Sequence, residues 1–324
     1  MTMTPSNEGS ANSYQLGDVV ALRAAFGDAL AIAAKADDRV IAITADLGGS
    51  VGLANFGDVF PGRYINCGVA EQDMIGIAAG LAMAGWNPFA ITFGSFIGRA
   101  MDQIRQSIGH NGLNVNVVGS HGGISNAQDG PSAHAIEDVA MIRAQPHFVI
   151  VAPSDPNQLF KAVPQIAELG QPTYLRLYRE PLPVRVNEGD EFIIGKARHL
   201  REGNEVTVIA SGPIVGSCID VVNEIGDEIS IDLFEFHTIR PLDREALLES
   251  AARTRRVVVV EDHVIWGGLA SEIAEVLSEE LPTRMRRVGL RDYAATGKYH
   301  ELCEASGIGP TAIDAAIREI SQIQ

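Results

Sequence analysis

The run Gly68-Val69-Ala70-Glu71-Gln72-Asp73-Met74-Ile75-Gly76-Ile77-Ala78-Ala79-Gly80-Leu81 decides how this chain is read. Its small and apolar residues predict a helix over 71–84, with one acid, Glu71, at the helix mouth. A carboxylate withdrawn from water there needs a partner or must keep its proton. The bland explanation is a capping acid, because acids favour first helical turns. The sharper one is a carboxyl group prepared to exchange a hydrogen bond with a buried ligand nitrogen.

Outward from this helix, short β-branched runs alternate with helical patterns. Strands are expected at Val40–Thr44, Phe89–Thr92, Val115–Gly119, Phe148–Ala152 and Tyr174–Leu177. Helices are expected near 18–35, 96–109, 135–144 and 155–169. Continuous apolar strands between helices indicate a mostly parallel sheet covered on both faces. The stretch 181–190, with two prolines and a polar patch, reads as a linker. A second unit follows, with strands at Val206–Ala210, Ile229–Leu233, Val257–Val260 and Met285–Val288 and helices near 215–226, 243–252, 267–280 and 311–321. The fold class is therefore α/β, with two open, mostly parallel-sheet domains at 14–180 and 191–324. Residues 1–13 read as a disordered tail, not a signal peptide.

In open parallel sheets, ligands sit at the carboxyl ends of the strands. That rule gathers Asp46–Ser50, Phe93–Phe96, His121–Pro131 and Tyr178-Arg179.

The 324 residues suffice for two cores, with 46% apolar and 20% charged residues. A net charge of −16 argues against nucleic-acid partners, which demand local basicity. An anionic substrate must then be held by a few local Arg and His residues against an unfavourable global field. Cys67, Cys218 and Cys303 are isolated and odd in number, which fits a reducing, cytoplasmic setting and no thiolate metal site. No apolar run reaches about 18 residues, so no membrane span is expected.

The ordered motifs resemble the C-terminal half of transketolase, meaning its pyrimidine-binding domain followed by its C-terminal domain. They are Ala45-Asp46-Leu47-x-x-Ser50, Gly68-x-Ala70-Glu71-Gln72-x-Met74, Thr92-Phe93-x-x-Phe96, Gly119-Ser120-His121 and Asp129-Gly130-Pro131. Tyr174-Leu175-Arg176 with Arg179, Ile239-x-Pro241-Leu242-Asp243, and Glu261-Asp262-His263 with Gly267-Gly268 continue the series. No Gly-Asp-Gly occurs, the motif with which the family holds the diphosphate and metal of thiamine diphosphate. The resemblance is thus to the second subunit of a split transketolase. It implies a separate N-terminal subunit that holds the diphosphate and Mg2+, and an α2β2 assembly.

The resemblance also assigns roles. Glu71 corresponds to the catalytic glutamate that bonds the cofactor's aminopyrimidine and favours its imino form. Phe96 corresponds to the stacking aromatic, Phe93 to one at the ring edge, and Leu47 to the bulky residue beneath the bent cofactor. Asp46 corresponds to an acid near the cofactor and the subunit contact. Arg23, Ser50, His121 and Arg179 correspond to the sugar-phosphate anchors, and Asp129 to a substrate-hydroxyl contact. Two Arg and a His would give charge-assisted hydrogen bonds to a tetrahedral anion.

One departure stands out. Ala133 occupies the place of the family's donor-facing histidine, and His134 comes one residue later. On a helix start one step rotates a side chain by about 100°, so His134 either reaches the site through a shifted loop or the contact is gone. The Gly267-Gly268 helix entry suggests an interface turn more than an anion site, and His237 and His263 are expected to be structural. The implied activity is transfer of a two-carbon ketol unit from a ketose to an aldose. A 2-oxo acid dehydrogenase beta subunit, deoxyxylulose-phosphate synthase and a non-catalytic regulatory subunit are the alternatives. The anchor set favours sugar transfer, and retention of Glu71, Phe96 and Asp129 argues against the regulatory reading.

Overall fold

The computed structural model of the protein describes residues 13–322, so all but the last residue of the expected tail lies outside the described residues. The chain enters through β1 (Val19–Ala21) and α1 (Leu22–Ala36), whose Leu22, Ala25, Phe26, Ala29 and Leu30 are buried. Next come β2 (Val40–Thr44), α2 (Ala54–Val59), β3 (Tyr64–Asn66), α3 (Glu71–Met83) and β4 (Asn87–Phe93). The helix expected near 96–109 is broken into α4 (Gly94–Ile97), α5 (Met101–Gln103) and a wide-turned segment at Ile104–Gly109. β5 (Asn116–Ser120), α6 (Asp138–Arg143), β6 (Val149–Val151), α7 (Pro156–Leu169) and β7 (Thr173–Arg176) complete the first α/β unit.

The first sheet runs in the order β12-β6-β7-β5-β4-β2-β3, and its strands are parallel except for β12 (Thr238–Arg240), which the second unit contributes. β2 is buried at every residue, as a strand covered on both faces must be. The stretch expected as a linker begins with β8 (Pro181–Pro183), which pairs antiparallel with β1, and its Val184 and Val186 are buried.

The second sheet has the order β14-β13-β10-β11-β9, built from β9 (Arg198–Arg201), β10 (Val206–Ser211), β11 (Ile231–Glu235), β13 (Arg256–Val264) and β14 (Arg284–Leu290). Within it β9 runs antiparallel and the other strands are parallel. Helices α8 (Val215–Ile225), α9 (Arg244–Thr254), α10 (Leu269–Glu280), α11 (Tyr299–Ala305) and α12 (Pro310–Ser321) cover it. One apolar core runs through both units, joining Met74, Ile75 and Ile104 of the first to Phe236, Val257 and Leu269 of the second. Two further cores fill the outer faces. Shared burial of this kind fixes one unit against the other, because apolar area removed from water contributes about 25 cal/mol per Å2.

Candidate active site

Five neighbouring parallel strands, β7, β5, β4, β2 and β3, end at one edge of the first sheet. Arg179 follows β7, His121 follows β5, Phe93 ends β4 with Phe96 on the α4 turn after it, Asp46–Ser50 follow β2, and Glu71 follows β3. Arg23 arrives from the first turn of α1, where its backbone N–H donates to the Tyr178 carbonyl at 3.2 Å. The sequence thus places its candidate residues at one edge because parallel strands deliver every following loop to the same side.

Glu71 is the first residue of α3 and only 4% exposed. No side chain caps this helix. Its carboxylate lies 3.6 Å from the Arg99 guanidinium, a partner the sequence does not announce. Phe93 and Phe96 stack on each other at 5.3 Å between centroids with planes 21° apart. Phe93 also stacks on the His121 ring at 3.8 Å. Offset ring pairs of this kind contribute about 0.5–1.5 kcal/mol beyond their buried area. Leu47 is half-buried and packs on the core beneath α1 and α7. Asp46 is exposed and bonded to Asn66, whose amide donates to its carboxylate at 3.0 Å.

Asp46 and His121 both adopt left-handed backbone, with φ of 63° and 62°. Such residues store of order 1–3 kcal/mol of strain and persist only where their surroundings over-determine them. His121 stands directly past β5 and Asp46 two residues past β2.

A cationic cluster lies beside the aromatic pair. Arg23 donates to the Ser50 carbonyl at 2.7 Å, yet its buried Nε has no partner. Ser50 is exposed and takes part through its backbone. Gly52, with φ of 78°, lets this loop press against α1: a Cβ there would stand 2.1 Å from the Arg23 carbonyl oxygen. Arg179 is paired with Asp129 at 2.8 Å and also donates to the Asn126 amide oxygen. Burial and the field of Arg179 hold the Arg23 pKa below its ordinary value.

His121 joins this cluster as a neutral ring. Burial, then Arg23 and Arg179, push its pKa down to about 3, so the imidazole is neutral. The Arg23 and Arg179 guanidiniums both disfavour a third positive charge at this ring. The charge offered to an anion therefore comes from the two arginines, with His121 adding neutral hydrogen bonding.

The loop 121–137 carries His121, Asp129 and His134, and the second unit clamps it. Asp262 accepts the Ile124 backbone N–H at 3.0 Å. Gly123, with φ of 63°, admits that carboxylate: a Cβ would lie 2.2 Å from it. Arg176 donates to Asp138 at 2.8 and 2.9 Å, to the Ala135 carbonyl at 2.8 Å and to the Asp262 carbonyl at 3.0 Å. Tyr174 adds a 2.6 Å bond to Asp138. Burial opposes the Asp138 charge, but Arg176 outweighs it and holds the carboxyl below its usual range. Burial raises Asp262 to about 6 against the pull of Arg176. None of these partnerships is visible in the sequence.

His134 does not lie on a helix start, because α6 begins four residues later and 131–133 form a turn. The helical rotation expected between positions 133 and 134 therefore does not apply. His134 is buried, faces a cleft lined by Ser95, Pro131, Ser132, Glu137 and Tyr293, and neither ring nitrogen finds a well-aligned partner. Burial lowers its pKa.

The Gly267-Gly268 helix entry already holds a carboxyl group of the chain itself. The Glu261 carboxylate accepts the backbone N–H groups of Leu269 at 2.8 Å and Ala270 at 3.2 Å. Burial lifts its pKa to about 7. His237 stacks on Phe192 at 4.0 Å, and His263 accepts the Ala140 N–H at 3.3 Å, so both are packed into the scaffold. Among the described residues, no three acidic, His or Cys side chains gather as a cation site, and no helix is long and apolar enough to cross a membrane.

Comparisons with known proteins agree with this architecture. Residues 18–184 match the sequence model for "Transketolase, pyrimidine binding domain" and residues 195–313 that for "Transketolase, C-terminal domain". The chain is 40% identical over 304 residues to the 6-deoxy-6-sulfo-D-fructose transketolase subunit SqwH of Clostridium sp. (strain MSTE9), covering 93% of this chain and 94% of that one. It is 33% identical to an apulose-4-phosphate transketolase subunit of Phocaeicola vulgatus, over 92% of this chain and 98% of that one. Human transketolase is 35% identical, with 94% of this chain matching 50% of the human protein. Among solved structures, a "Split gene transketolase, inactive beta4 tetramer" superposes with a TM-score of 0.85 at 36% identity, covering 93% of this chain and 98% of that one. The chain belongs to the transketolase family, and relatives of matching length include subunits of split transketolases.

Proposed function

We propose that this chain is the cofactor-activating C-terminal subunit of a thiamine-diphosphate-dependent split transketolase that moves a two-carbon ketol unit from an anionic ketose to an aldose. The observation that carries the reading is the sharing of one strand edge by a buried carboxyl, a stacked aromatic pair and a two-arginine cluster. The residues present fit the pyrimidine end of the cofactor, since a planar heterocycle needs an aromatic face and a carboxyl partner at its rim. When bound, the cofactor supplies the nucleophilic carbon that carries the ketol unit.

In this reading Glu71 holds the proton shared with the pyrimidine ring nitrogen, in a pocket where few waters compete. Phe96 and Phe93 present the ring face, with Leu47 beneath it and Asp46 at the subunit contact. Arg23 and Arg179 orient a tetrahedral anion through charge-assisted hydrogen bonds, aided by Ser50 and by neutral His121. Asp129 holds a sugar hydroxyl, and His134 faces the donor side of the cleft. Two relatives are named for a sulfonated and a phosphorylated sugar, and both carry the kind of anion this cluster suits. An N-terminal-half partner supplies the diphosphate and Mg2+ contacts, in an α2β2 assembly in the cytoplasm. The domain limits are 14–180 and 191–324, around a linker at 181–190.

The experiment is co-expression with such a partner, then assay of Glu71→Ala with thiamine diphosphate and magnesium. Turnover falls by about 100-fold or more, the range of a lost acid–base group, while the complex still assembles by size-exclusion chromatography. Activity within tenfold of wild type would contradict the role.

A further inference from the structure

We infer that Arg99 is a displaceable counter-ion of Glu71, occupying the pyrimidine's place until the cofactor enters. The inference deepens the function proposed above and rests on it. Arg99 sits on the short turn between α4 and α5, and its backbone carbonyl accepts the Gln72 side-chain amide at 3.1 Å. This ties the turn to the first turn of α3. From there the guanidinium reaches two groups at once. It lies 3.6 Å from the Glu71 carboxylate and 5.8 Å from the centre of the Phe96 ring.

These are the two contacts the aminopyrimidine needs, a carboxyl at its rim and an aromatic face. A guanidinium satisfies both in the same way, since it is planar, donates hydrogen bonds and stacks on rings. The cofactor ring and the Arg99 head therefore exclude each other. The asymmetry of exposure sets which group moves. The Glu71 side chain is 5% exposed, whereas the Arg99 side chain is 65% exposed and has a flexible stem. The contact is also long for a charged hydrogen bond, which normally closes to about 2.7–2.9 Å. A long contact whose cation lies mostly in water is easily broken from the arginine side.

The consequence is a two-state carboxyl. Before cofactor entry Glu71 faces the Arg99 cation. After entry the cation has swung out, and Glu71 faces only the ring and the apolar wall of α3. Arg99 is thus a positioning residue that acts through Glu71, and it opposes cofactor entry slightly in exchange for keeping the empty pocket compatible with a buried acid.

The test measures thiamine diphosphate binding to the co-expressed complex by isothermal titration calorimetry, with magnesium present. Arg99→Met keeps the stem and removes the charge, so affinity rises about two- to fivefold, the scale of a weak exposed pair. Arg99→Lys stays near wild type. In a Glu71→Gln background the gain from Arg99→Met vanishes, because the pair is already broken. A general loosening of the fold would not produce that cancellation. Equal or weaker binding by Arg99→Met, or a gain that survives Glu71→Gln, overturns the counter-ion role. Absence of cofactor binding by the wild-type complex overturns the proposed function itself.

Discussion

Two charged clusters flank the loop 121–137, which Arg176 grips at Ala135 and Arg179 at Asp129, and they are built in opposite ways. In the first, Arg176, Asp138, Tyr174 and Asp262 are buried and every guanidinium nitrogen of Arg176 has an acceptor. In the second, Arg23, His121 and Arg179 face one another with Asp129 as the ion-pair partner of Arg179, and Arg23 Nε has none. A buried charge is tolerated when paired and costs several kcal/mol when it is not. Four of the five Arg176 N–H donors are spent within the satisfied cluster, which leaves little bonding capacity for a ligand. The other is held together by the rest of the fold and keeps the Arg23 Nε donor unspent. What separates scaffold from site here is unspent hydrogen-bonding capacity, since both contain the same residue types.

The largest expected effect breaks the satisfied cluster. Arg176→Met leaves Asp138 buried without its cation, at about 3–5 kcal/mol. Urea unfolding should show that loss, and a change below about 1 kcal/mol would mean that Asp138 reaches water. The corresponding change in the open cluster behaves otherwise. Arg179 is a third exposed, so Arg179→Ala costs little stability, while KM for a phosphorylated or sulfonated sugar rises about tenfold, near 1.4 kcal/mol. An unchanged KM would place the sugar's anchor elsewhere.

The sequence makes the open cluster legible and hides the closed one. Ser50, His121 and Arg179 fall in ordered motifs after strand ends, where topology puts ligand groups, and Arg23, on α1, is reached through the resemblance alone. The main strands are equally visible, because Val40–Thr44 or Val257–Val260 are apolar almost without a break. By contrast, β1, β3, β8 and β12 have only three residues each, too few to show a period of two. β12 also crosses from the second unit into the first sheet, which no local pattern announces. The Asp262 bond to Ile124 spans 138 positions and Arg176 to Asp262 spans 86. Contacts of such separation are decided by tertiary packing. Arg99 is hidden for a different reason: an arginine on a surface turn looks like any solvated charge until Glu71 is seen beneath it.

The smallest effect tests whether His121 is neutral in the open cluster. Its folded pKa is about 3, against about 6.5 in an unfolded chain. Between those values the unfolded state binds more protons, so stability falls as pH falls through that window. One such histidine removes about 1 kcal/mol between about pH 7.5 and 5.5. His237 and His263, held near 4, act in the same sense, while Glu261 and Asp262, raised to about 7 and 6, act in the opposite one. Total stability therefore cannot isolate His121, but the difference between wild type and His121→Asn can. Urea unfolding of both proteins at the two pH values should show wild type losing about 1 kcal/mol relative to the variant on acidification. A constant difference would mean that the imidazole protonates freely in the folded state. Saturating inorganic phosphate should shrink the loss, because an anion between the two guanidiniums offsets the field that keeps His121 uncharged.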